Sequence, residues 1–280
     1  MRLGYFGPEG TFTAEALHAA MPAGEHELVP LPTIHDTVMA VHDGAVEKAL
    51  VPIENSLEGS VNATLDALAS SGESVRMVGE TVHPIRHCLI ARGALALDDV
   101  RRVVSHPQPL GQCAQFIREC LPGADVLAAA STAEAVRLVA AQDGPWVALG
   151  TRLAAELHGC TVLREGVEDV AGNETRFVWL MGAGGEVTSS RDGAPGKTSI
   201  VFWGAGSDAS GWLVRCLSEF ARRGVNLTRI ESRPRREGFG HYMFFVDIDG
   251  WEHDDAVRAG IEGVAAHVGH LSVLGSYEAA

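Results

Sequence analysis

The 280-residue chain contains no CxxC pair, and its five cysteines, Cys88, Cys113, Cys120, Cys160 and Cys216, are odd in number and widely spaced. That gives neither a disulfide framework nor a thiolate metal site, and it suits a reducing, cytoplasmic compartment. No stretch approaches the ~18 uninterrupted apolar residues of a membrane span. The opening MRLGYFGPEG lacks the apolar core and cleavage signature of a signal peptide. Positive charge is scarce: 22 Lys and Arg stand against 36 Asp and Glu, a formal charge of −14. A general nucleic-acid or anionic-membrane surface needs clustered basic residues, so neither partner is expected. A small anionic ligand needs only a local pocket. The twelve histidines show no ligand spacing. His83 and His87 are four apart, but Pro84 stands between them in a strand-like segment, so one helical face is not available. No metal is expected, and no internal repeat or low-complexity tract is evident.

What the chain does have is alternation. RLGYF, ALVPI, HCLIA, RRVVS, DVLAA and WVALG read as strands. TAEALHAAM, SVNATLDALASS, PLGQCAQFIREC and STAEAVRLVAAQ read as helices between them. This order argues for an open α/β sheet. GAGGEVTSSRDGAPG, residues 182–196, has no periodicity and reads as a linker. The expected division is therefore 1–182, a linker at 183–196, and a second unit at 197–280. In that unit KTSIVFW, GWLVRCLSEFARRG, VNLTRIESR, HYMFFVDIDG, DDAVRAGIEGVAAHV and HLSVLGSY give βαββαβ, the ferredoxin-like order.

Five segments could carry chemistry, and each has a structural alternative. GPEGTFT (7–13) follows a strand and opens a helix, so its amides with Thr11 and Thr13 could hold an anion; a tight turn with an N-cap is the alternative. In VPIENSLEGSV (51–61), Asn55 and Ser56 emerge at the carboxyl end of a strand, where open α/β sheets place clefts. Glu54 beside them could be a base, an ion-pair partner or surface, and Asn55 could form an Asx turn. SHPQ (105–108) places Ser105 as N-cap with Pro107 in the first turn. STAE (131–134) reads as a capping box, with Ser131 and Thr132 at a strand-to-helix turn. Such turns facing GPEGTFT across a cleft would form a dianion pocket. NETRF (173–177) adds a fixed positive charge. Arg176 presents a planar fork suited to a carboxylate, while Asn173 and Thr175 share one face of an extended chain. The alternative is a structural pair between Arg176 and a protein carboxylate.

Taken in order, GPEGTFT, VPIENSLEGSVNATLD, SHPQPLGQC, STAEA, NETRF, KTSIVF, GVNLTRIESRP and MFFVDIDG resemble the prephenate dehydratase family along nearly the whole chain. The resemblance implies a bilobal α/β catalytic region of the periplasmic-binding-protein kind, its second lobe at about 80–166, followed by a ferredoxin-like ACT regulatory domain. It implies conversion of prephenate to phenylpyruvate in phenylalanine biosynthesis, with no cofactor. The family's Thr-Arg-Phe signature falls on Thr175, Arg176 and Phe177, with Arg176 expected on a substrate carboxylate and Thr175 at the leaving hydroxyl. Thr11, Thr13, Asn55, Ser56, Ser131, Thr132 and Asn173 are expected to line the cleft. L-phenylalanine is the implied effector, at Gly211, Leu213, Val214, Glu231, Ser232, Arg233 and Pro234. The family usually has Gly-Ala-Leu-Val where this chain has GWLV, so Trp212 fills or reshapes that pocket. Because GPEGTFT begins at residue 7, the resemblance is to the monofunctional form, and it implies a homodimer or homotetramer. Arogenate dehydratase, a non-aromatising prephenate decarboxylase and a non-catalytic sensor with an ACT module are the alternatives.

Overall fold

The computed structural model describes residues 1–21, 24–184 and 193–280. Strand β1 (Arg2–Phe6) buries Leu3 and Tyr5 and is followed by α1 (Phe12–Ala20), β2 (Glu27–Leu31), α2 (Ile34–His42) and β3 (Lys48–Asn55). β1 lies between β2 and β3, parallel to both, so α1 and α2 are the crossovers that such pairing requires. A short β4 (Gly59–Ser60), α3 (Asn62–Ser71) and β5 (Val75–Pro84) follow. The chain then leaves this lobe.

The second lobe is a separate five-stranded sheet. Its elements are β6 (Cys88–Ala91), β7 (Arg102–Ser105), α4 (Pro107–Gln112), α5 (Ala114–Cys120), β8 (Asp125–Ala128), α6 (Thr132–Ala140), β9 (Trp146–Gly150), α7 (Arg152–Leu157) and β10 (Thr161–Glu165). The strand order is β10-β6-β9-β7-β8. The chain then returns as β11 (Glu174–Gly182), which inserts antiparallel between β3 and β5 of the first lobe. Residues 85–87 and 166–173 are thus the two crossovers between lobes.

The C-terminal unit comprises β12 (Gly196–Trp203), α8 (Trp212–Ala221), β13 (Leu227–Pro234), β14 (Tyr242–Asp249), α9 (Asp255–Ala265) and β15 (His270–Glu278), with strand order β13-β14-β12-β15. One face packs Ile200, Phe202, Val246 and Ile248 beneath Trp212, Phe220 and Val257 of its own helices. The other face contributes Val201, Met243, Phe245, Leu274 and Tyr277 to a core shared with Val38, Leu65, Leu68 and Val178 of the first lobe. The expected linker at 183–196 falls largely on 185–192, outside the described residues.

The first-lobe sheet and the C-terminal sheet are continuous. β15 meets β5 in parallel at Gly275 and Met77, and a Cβ placed on Gly275 would collide with the Met77 carbonyl oxygen. Glycine is needed here for close approach of two backbones. A Gly275→Val variant is expected to lose about 1–3 kcal/mol from overpacking, read as a lower urea midpoint. An unchanged midpoint would show that the junction adjusts freely.

The segment 109–120, expected as one helix, is two. Cys113 breaks it at φ −116°, ψ 18°, and the Asp169 carboxylate accepts from the Gln115 and Phe116 amides at 2.8 and 3.0 Å. That carboxylate gives α5 an N-terminus of its own. β2, α2, α7 and β10 are additions to the sequence reading.

Candidate active site

The first turns of α1, α2, α4 and α6 converge on the space between the lobes. Each is capped by a side chain: Thr11 accepts from the Ala14 amide, Thr33 from Asp36, His106 from Gln108 and Ser131 from Glu134. The remaining first-turn amides have no partner within their helices, and the helix dipoles make these ends partially positive. Between them lies a cavity of about 300 Å³. Asn55, Asn173, Thr175 and Phe177 close its floor from β3, the returning crossover and β11.

The cap before α4 is His106, not Ser105. Ser105 is buried at the end of β7 and donates to the Leu149 carbonyl at 2.7 Å. The capping box at 131–134 is half formed: Ser131 caps, while Glu134 turns to Arg137 at 2.7 Å. The lobes are held close at the back of the cleft, where Thr151 donates to the Gly10 carbonyl at 2.8 Å. Gly10 has φ +84°, and a Cβ there would press on Ala154 and Ala133, so glycine serves both the turn and the contact.

Of the residues expected to line the cleft, Thr11, Thr13, Asn55, Ser131, Thr132 and Asn173 do so, together with Thr175 and Phe177. Ser56 does not. Its hydroxyl lies behind the wall, donating to Asn173 Oδ1 at 3.3 Å and accepting the Glu174 amide at 3.0 Å.

Asn55 organises the floor. Its Oδ1 accepts from the Leu57 and Glu58 amides, which is the Asx turn. Its Nδ2 donates to Asn173 Oδ1 at 2.7 Å, Thr175 Oγ1 at 2.9 Å and the Glu174 carbonyl at 3.1 Å. Thr175 Oγ1 therefore uses a lone pair on an amide donor, and its own hydrogen remains to be given.

Arg176 is absent from the cavity lining, so the expected carboxylate clamp is corrected. Side chains alternate along a strand, and with Thr175 and Phe177 on the cavity face Arg176 takes the opposite one. There it meets Asp247 of β14 at 2.6 Å, Glu80 of β5 at 3.1 Å and Glu54 of β3 at 3.3 Å. Arg229 approaches Glu54 and Asp247, and Lys197 pairs with Glu80. Burial works against the Arg176 charge, yet the Asp247 carboxylate holds its pKa above the ordinary value. Burial likewise opposes ionisation of Asp247, but Arg176 and Arg229 hold its carboxyl below the usual range. The arginine binds the catalytic region to the C-terminal unit.

With Arg176 turned away, the lining contains neither Lys nor Arg among the described residues. It does contain His87, His106, Gln108 and Gln112, which the sequence pattern alone does not mark as site residues. SHPQPLGQC carried three of them as a motif, but only the fold directs them inward. His87 lies on the outgoing crossover, is 1% exposed, and stands edge-on to Phe12 at 5.2 Å.

A second cavity, about 270 Å³, opens beside the start of α8. Gly211, Leu213 and Val214 line it with Trp212, Tyr242 and Phe244. Trp212 is mostly core: its Nε1 donates to the His267 carbonyl at 2.8 Å, and its ring packs against Phe202 and Phe244. Glu231, Ser232, Arg233 and Pro234 are not gathered there, and alternation along the strand turns Glu231 and Arg233 away together. Glu231 accepts from Ser60 at 2.8 Å and Arg233 grips Asp66 with two hydrogen bonds, so both face the first lobe. Ser232 pairs with Phe244 across the ladder, and Pro234 lines a separate hollow with Asp66 and Trp203.

Two α/β lobes around a cleft walled by helix N-termini, continued by a βαββαβ module, define a bilobal fold whose cleft suits a small organic anion. The prephenate dehydratase family matches residues 3–183, and the chain belongs to that family. A prephenate dehydratase of Amycolatopsis methanolica is 39% identical over 277 residues, covering 99% of this chain and 88% of the relative. The crystal structure of an Arthrobacter aurescens prephenate dehydratase in complex with L-Phe superposes with a TM-score of 0.90 at 36% identity, covering 100% of this chain and 90% of that one. A solved structure described as GqqA, a novel type of quorum quenching acylase, has a TM-score of 0.87 at 30% identity and covers 100% and 98%. No described helix is long and apolar enough to cross a membrane.

Proposed function

We propose that the chain converts prephenate to phenylpyruvate, carbon dioxide and water, as the committed dehydration of phenylalanine biosynthesis. Prephenate carries two carboxylates, a ketone and one ring hydroxyl. The carboxyl carbon leaves as carbon dioxide, its bonding pair enters the ring, and the hydroxyl departs from the opposite carbon with a proton. Aromatisation drives the step. The chain's part is to hold a dianion and to stabilise charge growing on the departing oxygen. The amides at the starts of α1 and α6, with Thr13, Ser131 and Thr132, suit the carboxylates, while the Thr11 hydroxyl donates to the Pro8 carbonyl at 3.0 Å. Asn173 and Asn55 order the floor, Thr175 donates to the leaving hydroxyl, and Phe177 packs beneath it.

The observation that carries this reading is the Asn55 Nδ2–H donated to Thr175 Oγ1 at 2.9 Å. It occupies the hydroxyl as an acceptor and leaves it free as a donor. The same bond argues against Thr175 as an acyl-transfer nucleophile, because a threonine nucleophile needs a base to accept its proton. Its partner is an amide donor instead.

L-phenylalanine is the proposed effector, bound near Gly211, Leu213 and Val214, with the α8 N-terminus for its carboxylate and Tyr242 and Phe244 for its ring. β13 is an edge strand, and Ile230, Val214 and Tyr242 are exposed at 47%, 66% and 43%. These features support homo-oligomers formed through the C-terminal modules. All five cysteines are unpaired, which supports a cytoplasmic site of action.

The test is product identification after incubation with prephenate or arogenate, with and without L-phenylalanine. The expected product is phenylpyruvate from prephenate, formed more slowly with the effector. Preferred turnover of arogenate to phenylalanine would make the chain an arogenate dehydratase. A non-aromatic keto acid would make it a decarboxylase, and binding without turnover a sensor.

A further inference from the structure

His87 occupies the crossover between lobes and is linked to both. The Glu58 carboxylate, on the first lobe, accepts from Gln112 Nε2 at 3.0 Å. That contact fixes the Gln112 amide, so its Oε1 is the atom facing His87 Nε2 at 2.8 Å. A carboxamide oxygen can only accept. His87 Nε2 therefore carries a hydrogen, and in the neutral ring Nδ1 is a bare acceptor. Nδ1 is buried and has no hydrogen-bond partner among the described residues.

A bare acceptor is the wrong group for this ligand. Resting on the dehydratase reading, the substrate offers carboxylate and keto oxygens, all acceptors, and one hydroxyl. Accepting a hydrogen bond from that hydroxyl would oppose its departure. The cavity also lacks Lys and Arg in its lining among the described residues, while two negative charges must enter it. His106 is already engaged, its Nδ1 accepting the Gln108 amide at 3.3 Å. We propose that His87, whose ring lines the cavity, takes up a proton at Nδ1 as the substrate binds, supplying the positive charge the lining otherwise lacks.

The surroundings suit this role. In the free protein burial pushes the His87 pKa below its ordinary value, against the opposing influence of Gln112, Glu168 and Glu15. Glu168 accepts the His87 amide at 2.9 Å from the returning crossover, Glu15 acts from α1, and Glu58 acts through Gln112. The ring is thus neutral in the free protein at pH 7, and a dianion arriving beside it favours the charged form.

If the active species holds protonated His87 and the free group titrates below about 6.5, kcat/KM falls as pH rises, since that parameter reports the free enzyme. Phenylpyruvate formation should show kcat/KM falling about tenfold per pH unit between pH 7 and 9 in the unaltered protein. His87→Gln should lower kcat/KM by roughly 10²-fold at pH 7 and flatten the profile. Calorimetry of the Thr175→Ala variant with prephenate at pH 8, in two buffers of different ionisation enthalpy, should record uptake of about one proton. A flat profile in the unaltered protein, a slope retained in folded His87→Gln, or no proton uptake would each overturn the inference while leaving the dehydratase reading intact. Absence of phenylpyruvate at every pH would overturn that reading, and this inference with it.

Discussion

Thr175→Ala is expected to lower kcat by ~10²–10³-fold, the usual cost of removing one preorganised donor from a developing negative charge. The fold should survive, since Thr175 buries a small side chain and its backbone remains paired to both β3 and β5. A threonine hydroxyl is a weak acid, so its value lies in position more than in proton transfer. Asn55 supplies that position by donating to Oγ1. Thr175→Ser keeps the oxygen and should retain most of the activity. Circular dichroism with steady-state kinetics on both variants checks this. Turnover of the alanine variant within a few-fold of the unaltered protein would remove Thr175 from the reaction.

Arg176→Met is expected to damage the fold rather than the site. The buried cluster balances three cations, Arg176, Arg229 and Lys197, against three anions, Glu54, Glu80 and Asp247. Glu80 and Asp247 side chains are 1% and 3% exposed. Removing the arginine leaves carboxylates short of a partner where water cannot compensate, which typically costs about 3–5 kcal/mol. Denaturant unfolding should show that loss. In whatever fraction remains folded, KM for prephenate should change little. Unchanged stability with a KM raised tenfold or more would restore the arginine to the substrate.

The contrast between these neighbours shows how far the sequence could be read. Period-two alternation already put Asn173 and Thr175 on one face, and the same rule sends Arg176 to the other. What the chain could not disclose was its partner, Asp247, which lies 71 residues away and reaches it only when β14 is laid against the first lobe. The effector segment repeats the lesson, since Glu231 and Arg233 alternate with Ser232 and meet Ser60 and Asp66.

The layer order was legible because strands and helices with strong apolar patterns alternate. β2 and α2 were harder. Pro30 and Pro32 interrupt the pattern, and Pro30 is tolerated because β2 is an edge strand. His87 and Gln112 were beyond the reach of sequence. They meet only because one sits on a crossover and the other ends a helix that breaks at Cys113.

The substrate dianion is expected among helix N-termini with its hydroxyl on residue 175, while Arg176 serves the domain junction. The most direct measurement is a crystal structure of the Thr175→Ala variant soaked with prephenate. Carboxylate density is expected at the starts of α1 and α6 and the ring hydroxyl over position 175, with Arg176 still paired to Asp247 and Glu80. A substrate carboxylate on the Arg176 guanidinium would contradict it.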